Sequence, residues 1–466
     1  MKHTPVYVSQ EEMMQQERAI EQILLLPNKP NSFHIVTYGC QMNAHDSEKL
    51  AGILLKMGMT EADDRKHADI VLFNTCCIRD NAERRALGNV NWLRQLRKQK
   101  PNLLIGVCGC MVQQPEMAQR ILKQYKFIDL AFGTHNLHCL PEMMLSLLTN
   151  EKRVVDVIDQ ENLIAEGVPI KRLHSYHAYT TIMYGCDNYC SYCIVPYVRG
   201  RERSRLMSDV LKEAEGLAAS GVQEIMLLGQ NVNSYGNSSE NGDTFPKLLA
   251  ELDQIGIPRI RFMTSHPKDL SDDLIDVMAG SKHICNHFHL PIQSGNNEIL
   301  RRMNRRYTRE DYLDKVQKLR KAMPNVGITT DFIVSFPGET EEQFQDTCSL
   351  VREVGFDSAF TFIYSPRPGT KAAEMDGMIP PEESSRRIGE LLLEVERSSA
   401  RVYDQMIGKD EYVLVDGFAK RDPTMVAGKG TRSITVKFKG TADDIGKIIP
   451  VRITSAAATV LQGERI

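Results

Sequence analysis

Gly185-Cys186-Asp187-Asn188-Tyr189-Cys190-Ser191-Tyr192-Cys193 carries three cysteines at the spacing C-x3-C-x2-C, directly behind the apolar run Tyr179 to Tyr184. A [4Fe–4S] cubane ordinarily takes four cysteines. Three thiolates on one tight loop hold three irons and leave the fourth with an open coordination position. Catalytic metals need such an opening and structural ones avoid it. A zinc knuckle on Cys190 and Cys193 is the plainer alternative. It calls for a second close pair of cysteines or closely spaced histidines, and neither follows. A cofactor loop behind a strand belongs at the strand's carboxyl end, the working end of parallel α/β sheets and barrels.

Downstream of this loop the sequence alternates strand and helix. The expected strands are Tyr179–Tyr184, Glu224–Leu228, Arg259–Met263, His287–Leu290, Gly327–Val334 and Ser358–Tyr364. Helical spacing lies between them, at 208–220, 245–254, 270–278, 309–322 and 341–353. Six βα units predict a partial (β/α)6 barrel. The strands lead into polar, turn-forming stretches such as Gly229-Gln230-Asn231-Val232-Asn233, Ser265-His266-Pro267, Gln293-Ser294-Gly295-Asn296 and Phe336-Pro337-Gly338-Glu339-Thr340. Any one of these is ordinary turn chemistry. Gathered on one rim, they supply amides, hydroxyls and backbone N–H groups for a zwitterionic, ribose-bearing cofactor. Tyr192, Gly229, Gln230, Asn231, Ser294 and Asp331 are the candidate contacts.

Upstream, residues 1–31 read as an extension with one helix, from Gln10 to Leu26. Three apolar strands follow, at Phe33–Tyr38, Ile70–Phe73 and Leu103–Val107, and they run into Cys40, Cys76 and Cys110. Helical spacing separates them, which predicts a parallel, Rossmann-like sheet. Equivalent strand ends converge in space, so these cysteines form a second three-thiolate site, again with one iron open. Gly109 allows the turn that presents Cys110, and this favours Cys110 over Cys108. Cys77, Cys108, Cys139, Cys285 and Cys348 are expected to be small buried hydrophobes.

Composition agrees. The chain has 466 residues, 42% of them hydrophobic and 25% charged, enough for several cores. Its 11 cysteines argue for metal or redox work in a reducing compartment. We read no membrane span and no signal peptide, so a cytoplasmic protein is expected.

The net charge of −3 gives no global affinity for nucleic acid. Two local runs do: Arg199, Arg201, Arg203 and Arg205 behind the cluster loop, and Arg302, Arg305 and Arg306 in the run Arg301–Tyr307. Arginine suits phosphate through its bidentate fork, so these predict an RNA footprint. The stretch 380–406 reads as a long amphipathic helix with Leu391, Leu392, Leu393 and Val395 inward. Short alternating strands follow and predict a small all-β, OB-like barrel. From Lys409 onward ten Lys or Arg stand against seven Asp or Glu, a local charge of +3.

The C-x3-C-x2-C loop with Tyr192 before its last cysteine resembles the signature of radical S-adenosylmethionine (SAM) enzymes. Tyr38-Gly39-Cys40-Gln41-Met42-Asn43, Asn74-Thr75-Cys76 and Gly109-Cys110-Met111-Val112-Gln113 resemble the three cysteine motifs of the methylthiotransferase family within that superfamily. Cys77 and Val112 stand where that family usually has small residues. Gly229-Gln230-Asn231 stands where radical SAM proteins usually have Gly-Gly-Glu. The terminal barrel resembles the RNA-binding TRAM domain. The resemblance implies the following organisation: extension 1–31, methylthiotransferase amino-terminal domain 32–148, linker 149–177, radical SAM partial barrel 178–406 and TRAM domain 407–466.

It further implies two [4Fe–4S] clusters, with SAM chelated by the open iron above Cys186, Cys190 and Cys193. The implied reaction is methylthiolation at C2 of N6-isopentenyladenosine at position 37 of tRNA. One SAM methylates sulfur held at the auxiliary cluster on Cys40, Cys76 and Cys110, and a second supplies the radical. Sister enzymes acting on threonylcarbamoyladenosine or on a ribosomal-protein aspartate are the near alternatives, and a non-catalytic iron–sulfur RNA-binding protein is the distant one. The implied partners are the tRNA anticodon stem-loop and an electron donor such as flavodoxin or ferredoxin, the enzyme itself being a monomer.

Overall fold

Every residue of the strand Ile70–Thr75 is buried. A strand enclosed on both faces needs parallel neighbours covered by helices. In the computed structural model it lies inside a six-stranded sheet of order Thr60–Glu61, Ser32–Thr37, Ile70–Thr75, Leu104–Gly109, Leu130–Phe132, Val154–Asp156. All five pairings are parallel. The structure describes residues 5–77, 80–150, 153–157, 163–237, 242–457 and 459–466, the side chains of 80–84 excepted.

Alternation sorts this sheet's side chains onto two cores. Ile70, Leu72, Cys108 and Phe132 pack with Leu50, Leu54, Leu140 and Met144 on one side. Val71, Phe73, Val107 and Cys77 pack with Val90, Leu93 and Ile121 on the other. The helices Gln41–Lys56, Asp80–Gln99 and Pro115–Gln124 connect the strands as the spacing predicts. The helix Leu140–Asn150 was not read from the sequence, and neither was the three-residue strand Leu130–Phe132, which is too short to show a period. The preceding helix, Gln10–Leu25, is capped by Ser9, whose side chain accepts from the Glu12 N–H at 3.1 Å.

The chain divides into two compact units. One holds residues 1–173 with 184–187 and 193–205, and the other holds 174–183, 188–192 and 206–466. In the second, six parallel strands follow in chain order: His177–Thr181, Glu224–Leu228 and Arg259–Phe262, then His287–His289, Gly327–Val334 and Ser358–Ile363. The two triplets meet at the bridge Ile260–Ile284, where Ile260 N–H donates to the His283 carbonyl at 2.9 Å. This is the partial barrel expected from the six βα units. In the helix Pro381–Asp404, Leu391 and Val395 face inward while Leu392 and Leu393 are exposed, because a helix cannot turn three consecutive residues to one face.

Five strands, Asp410–Ala419, Asp422–Lys429, Thr435–Lys439, Val460–Arg465 and Ile448–Ala457, close into a barrel around Val413, Val415, Val436, Phe438 and Val451. The second of these opens on Asp-Pro and ends on Gly-Lys, a turn-like composition that hid it. Buried arginines dock this barrel. Arg261 donates to the Gly430 carbonyl at 2.6 Å and to Glu224 at 2.7 Å, and Arg259 donates to the Lys429 carbonyl at 2.8 Å. Arg432 forks onto Asp357, both bonds 2.8 Å. Glu224, Arg259 and Asp357 stand at the amino ends of their strands, so the barrel caps the end opposite the polar rim loops.

Candidate cluster-binding sites

The first site grows from sheet register. Thr37, Asn74 and Cys108 form one row across three strands. Cys40, Cys76 and Cys110 therefore lie three, two and two residues past a common line, which gathers them at one end of the sheet. Gly39 has φ +124°, and a methyl placed there would come within 2.6 Å of Cys76 Cβ and 3.2 Å of its Sγ. Gly109 has φ +92°, and a methyl would meet Thr75 O at 2.6 Å. Both turns require glycine.

Asn43 joins the three motifs. Its amide donates to the Tyr38 carbonyl at 2.9 Å and the Thr75 carbonyl at 3.1 Å. Its Oδ1 accepts from the Cys40 thiol at 3.9 Å, the Cys110 thiol at 3.8 Å and Arg199 Nη2 at 2.9 Å. Arg199 also donates from Nη2 to Asp46 at 2.7 Å and from Nε to Cys110 Sγ at 3.3 Å. A hydrogen bond from the Cys77 thiol, together with the charge and N–H of Arg199, pulls the Cys110 thiol down to about 6. Burial pushes Cys108 the other way, and its side chain belongs to the opposite core. Among the described residues, the groups of three metal-binding side chains whose ligand atoms all lie within 4.8 Å do not include Cys40, Cys76 and Cys110.

Four arginines read from sequence as RNA contacts lie elsewhere. Arg199, Arg203 and Arg205 are buried. Arg203 donates to the Leu163 carbonyl at 3.0 Å, and Arg205 forks onto Glu166 at 2.6 and 2.8 Å. Arg199 and Arg203 line a partly open pocket with Lys49, His135 and Tyr184. Arg305 in the second unit is also buried. Single-letter charge spacing does not reveal that a guanidinium has an internal acceptor. Arg201 pairs with Asp187 at 2.7 Å but stays half-buried, Arg302 is half-buried, and Arg306 is exposed.

Cys186 and Cys193 belong to segments of the first unit and Cys190 to the second. In the second unit, the run Arg301–Tyr307 clamps residues 188–191. Asn304, itself at φ +59°, donates to the carbonyls of Asn188 at 3.1 Å and Tyr189 at 3.0 Å. The Ser191 hydroxyl donates to the Arg302 carbonyl at 2.8 Å, and its N–H donates to Met303 at 3.0 Å. Arg305 donates from Nη1 to Cys190 Sγ at 3.3 Å and from Nε to the Tyr307 hydroxyl at 2.7 Å. Tyr192 packs on the small core of Ile299, Met303 and Phe336.

The rim loops carry orphaned polar atoms. Gln230 Oε1, Asn231 Oδ1, Ser265 Oγ and His266 Nε2 are buried with no hydrogen-bond partner among the described residues. Native proteins rarely bury such atoms without a use. His266 Nδ1 accepts from the Lys268 N–H at 3.2 Å, so Nε2 carries the proton. Burial, then the charges of Arg305 and Lys268, keep that ring neutral. Gly229 has Met183 2.5 Å from where a methyl would sit, so its backbone is pressed close to the first strand. Two acceptors, a hydroxyl and an N–H donor fit a ligand bearing an ammonium, a carboxylate and a ribose.

Ser294 departs from expectation. It is fully buried, with its hydroxyl against Thr347 at 3.4 Å and accepting from the Asn296 N–H at 3.2 Å, so it braces a helix instead of facing a ligand. Asp331 is 3.6 Å from His289 Nε2 and partly exposed. Sequence reasoning missed Asn43, Asp46 and His266. It also missed Glu339, whose carboxyl burial raises to about 7 despite the Ser335 N–H at 2.7 Å and Arg387 at 3.1 Å. Asn43 stood inside the first motif, and His266 and Glu339 inside two of the quoted rim stretches, but none of the three was singled out.

A family model described as the radical SAM superfamily matches residues 180–351, and one described as uncharacterized protein family UPF0004 matches residues 32–133. The fold resembles the radical SAM methyltransferase TsrM from Kitasatospora setae, solved with cobalamin and a [4Fe–4S] cluster. That likeness has a TM-score of 0.53 at 16% identity and covers 74% of this chain and 77% of that one. The protein is thus of the radical SAM class. Two curated relatives bear the name tRNA-2-methylthio-N(6)-dimethylallyladenosine synthase. The one from Acetivibrio thermocellus is 48% identical over 98% of this chain and 97% of its own length. The one from Caldicellulosiruptor saccharolyticus is 50% identical over 94% and 93%. The chain belongs to the family of tRNA-2-methylthio-N(6)-dimethylallyladenosine synthases.

Proposed function

We propose that this protein is the tRNA methylthiotransferase that converts N6-isopentenyladenosine at position 37 to its 2-methylthio derivative. The full-length identity to synthases of that name supports the reading. The convergence of Cys40, Cys76 and Cys110 on one sheet end, in a chain that also carries a separate C-x3-C-x2-C loop, gives it chemical sense. Cys40, Cys76 and Cys110 would hold the auxiliary cluster, and Cys186, Cys190 and Cys193 the SAM-binding one. When bound, the clusters and SAM supply the one-electron chemistry that opens an unactivated aromatic C–H bond and the site where sulfur is carried. The protein's own groups do the rest. Arg199 and Arg305 each aim an N–H at one ligand sulfur. Asn304 fixes the loop carbonyls. Gln230, Asn231, Ser265 and His266 offer the buried polar atoms that orient SAM.

The domain reading goes with this: auxiliary-cluster domain 32–148, radical SAM barrel 178–406 and TRAM-like barrel 407–466. Arg201, Arg302 and Arg306 are the remaining arginines for the RNA backbone. A cytoplasmic monomer served by flavodoxin or ferredoxin completes the proposal. Among the described residues no helix is long and apolar enough to cross a membrane.

The test is mass spectrometry of tRNA nucleosides from a deletion strain. Loss of 2-methylthio-isopentenyladenosine, restored by the wild-type chain, is expected. Loss of the threonylcarbamoyl derivative instead would move the assignment to the sister enzyme. Loaded protein that never yields 5′-deoxyadenosine would exclude radical chemistry altogether.

A further inference from the structure

Both sites share a feature no sequence motif announced: one buried arginine donating to one ligand sulfur, at 3.3 Å in each case. What surrounds the two arginines differs. Arg199 is paired with the carboxylate of Asp46 at 2.7 Å, and the pair is buried and close to neutral. Arg305 is held by the Tyr307 hydroxyl at 2.7 Å and the Pro291 carbonyl at 2.5 Å. Among the described residues no carboxylate lies within ion-pair distance of Arg305. Its charge is therefore uncompensated and shielded from solvent. Reduction potentials of iron–sulfur clusters rise with nearby positive charge and with hydrogen bonds to sulfur. A buried charge acts through a low effective dielectric and is barely screened by salt.

We propose that Arg305 and the Arg199–Asp46 pair are positioning elements that set the two clusters to different reduction potentials. Arg305 raises that of the cluster on Cys186, Cys190 and Cys193, while Asp46 cancels the same effect at the cluster on Cys40, Cys76 and Cys110. The step concerned is the transfer of one electron from an external low-potential one-electron carrier protein. One cluster passes from its 2+ to its 1+ state, the carrier is oxidised by one electron, and no bond is made or broken. The arrangement directs that electron to the SAM-binding cluster and keeps the sulfur-carrying one oxidised. The inference rests on the proposed ligand sets. Their failure would show as missing iron, whereas failure of the tuning would show as unchanged potentials.

The experiment is an EPR-monitored redox titration of the full chain carrying both clusters. Arg305→Gln is expected to disfavour reduction of the SAM-binding cluster about tenfold, or ~59 mV for one electron, with Arg305→Lys closer to wild type. Asp46→Asn is expected to favour reduction of the auxiliary cluster by a similar factor. The double variant Arg199→Gln/Asp46→Asn returns it to near the wild-type value. If Arg305→Gln loads iron and its potential moves less than twofold, the proposal fails. If Arg305→Gln does not load iron, the Asp46→Asn arm decides: an unchanged auxiliary potential overturns the proposal, and a raised one supports it.

Discussion

The two cysteine triads proposed as cluster sites are assembled by different routes. Cys186, Cys190 and Cys193 sit within eight residues, and a local loop presents them. Its shape still depends on a distant clamp, Arg302 to Arg305. Cys40, Cys76 and Cys110 are spread over seventy-one residues and gathered by sheet register, with Asn43 as the internal tie. A loop triad is robust to its fold and sensitive to its clamp. A sheet triad is robust in its ligands' backbone positions and sensitive to the glycines that turn each strand end.

The sharpest way to break the comparison is to remove one ligand from each side. Cys190→Ala should abolish both 5′-deoxyadenosine and the methylthio product. Cys110→Ala should abolish only the product, leaving SAM cleavage and about four irons per chain of about eight. If Cys110→Ala still thiolates and Cys108→Ala does not, the ligand choice at the third strand is wrong. Cys76 and Cys77 deserve the same treatment. Cys76→Ser should empty the auxiliary site, while Cys77→Ser should keep its iron.

Next in size is Gly39→Ala. It forces a side chain into φ +124° and against Cys76, which should cost on the order of 1–3 kcal/mol of local strain and the auxiliary cluster's iron. The SAM-binding iron should stay. Loss of both irons together would mean that the sites are not independent. Smaller still, Asn231→Leu should weaken SAM binding about tenfold in equilibrium dialysis, the scale of one lost hydrogen bond, ~1.4 kcal/mol, with iron content unchanged. An unaltered SAM affinity would remove Asn231 from the cofactor contacts.

The smallest expected effect is shared by both units. Burial holds His45, His135, His266 and His287 neutral, with His135 brought down to about 3. Below the ordinary histidine range the unfolded chain takes up protons that the folded chain refuses. Stability is therefore full above about pH 6.5 and falls as pH drops through the window from there toward 3. For His135 the loss at pH 5.5 is on the order of 1 kcal/mol. Unfolding free energies from urea titration at pH 7.5 and 5.5 should lie closer together in His135→Phe than in the wild type, and an unchanged difference would show that the ring is protonated in the fold.

The βα alternation was legible because a strand buried on both faces and a helix with one buried stripe leave periods in the apolar residues. Six strands of the partial barrel and three of the amino-terminal sheet follow from that. Leu130–Phe132 and Asp422–Lys429 did not, one being too short for a period and the other written in turn residues. The cysteines were legible because thiolate chemistry restricts both residue type and spacing. Four of the seven arginines were misread, since a run of positive charge is the same string whether it faces water or an internal acceptor. Arg203 ends on a backbone carbonyl and Arg305 on a thiol and a hydroxyl, partners that no charge count anticipates.

The sequence by itself determined the fold class and the family and nominated the two cysteine triads proposed as cluster sites, because those rest on periodicity and on ligand chemistry carried by local motifs. Only the tertiary structure decided which charges reach the clusters. Asp46 comes to Arg199 from 153 residues away, and Arg305 comes to Cys190 from 115. A Coulomb interaction depends on through-space distance and burial, and neither is written in the order of residues.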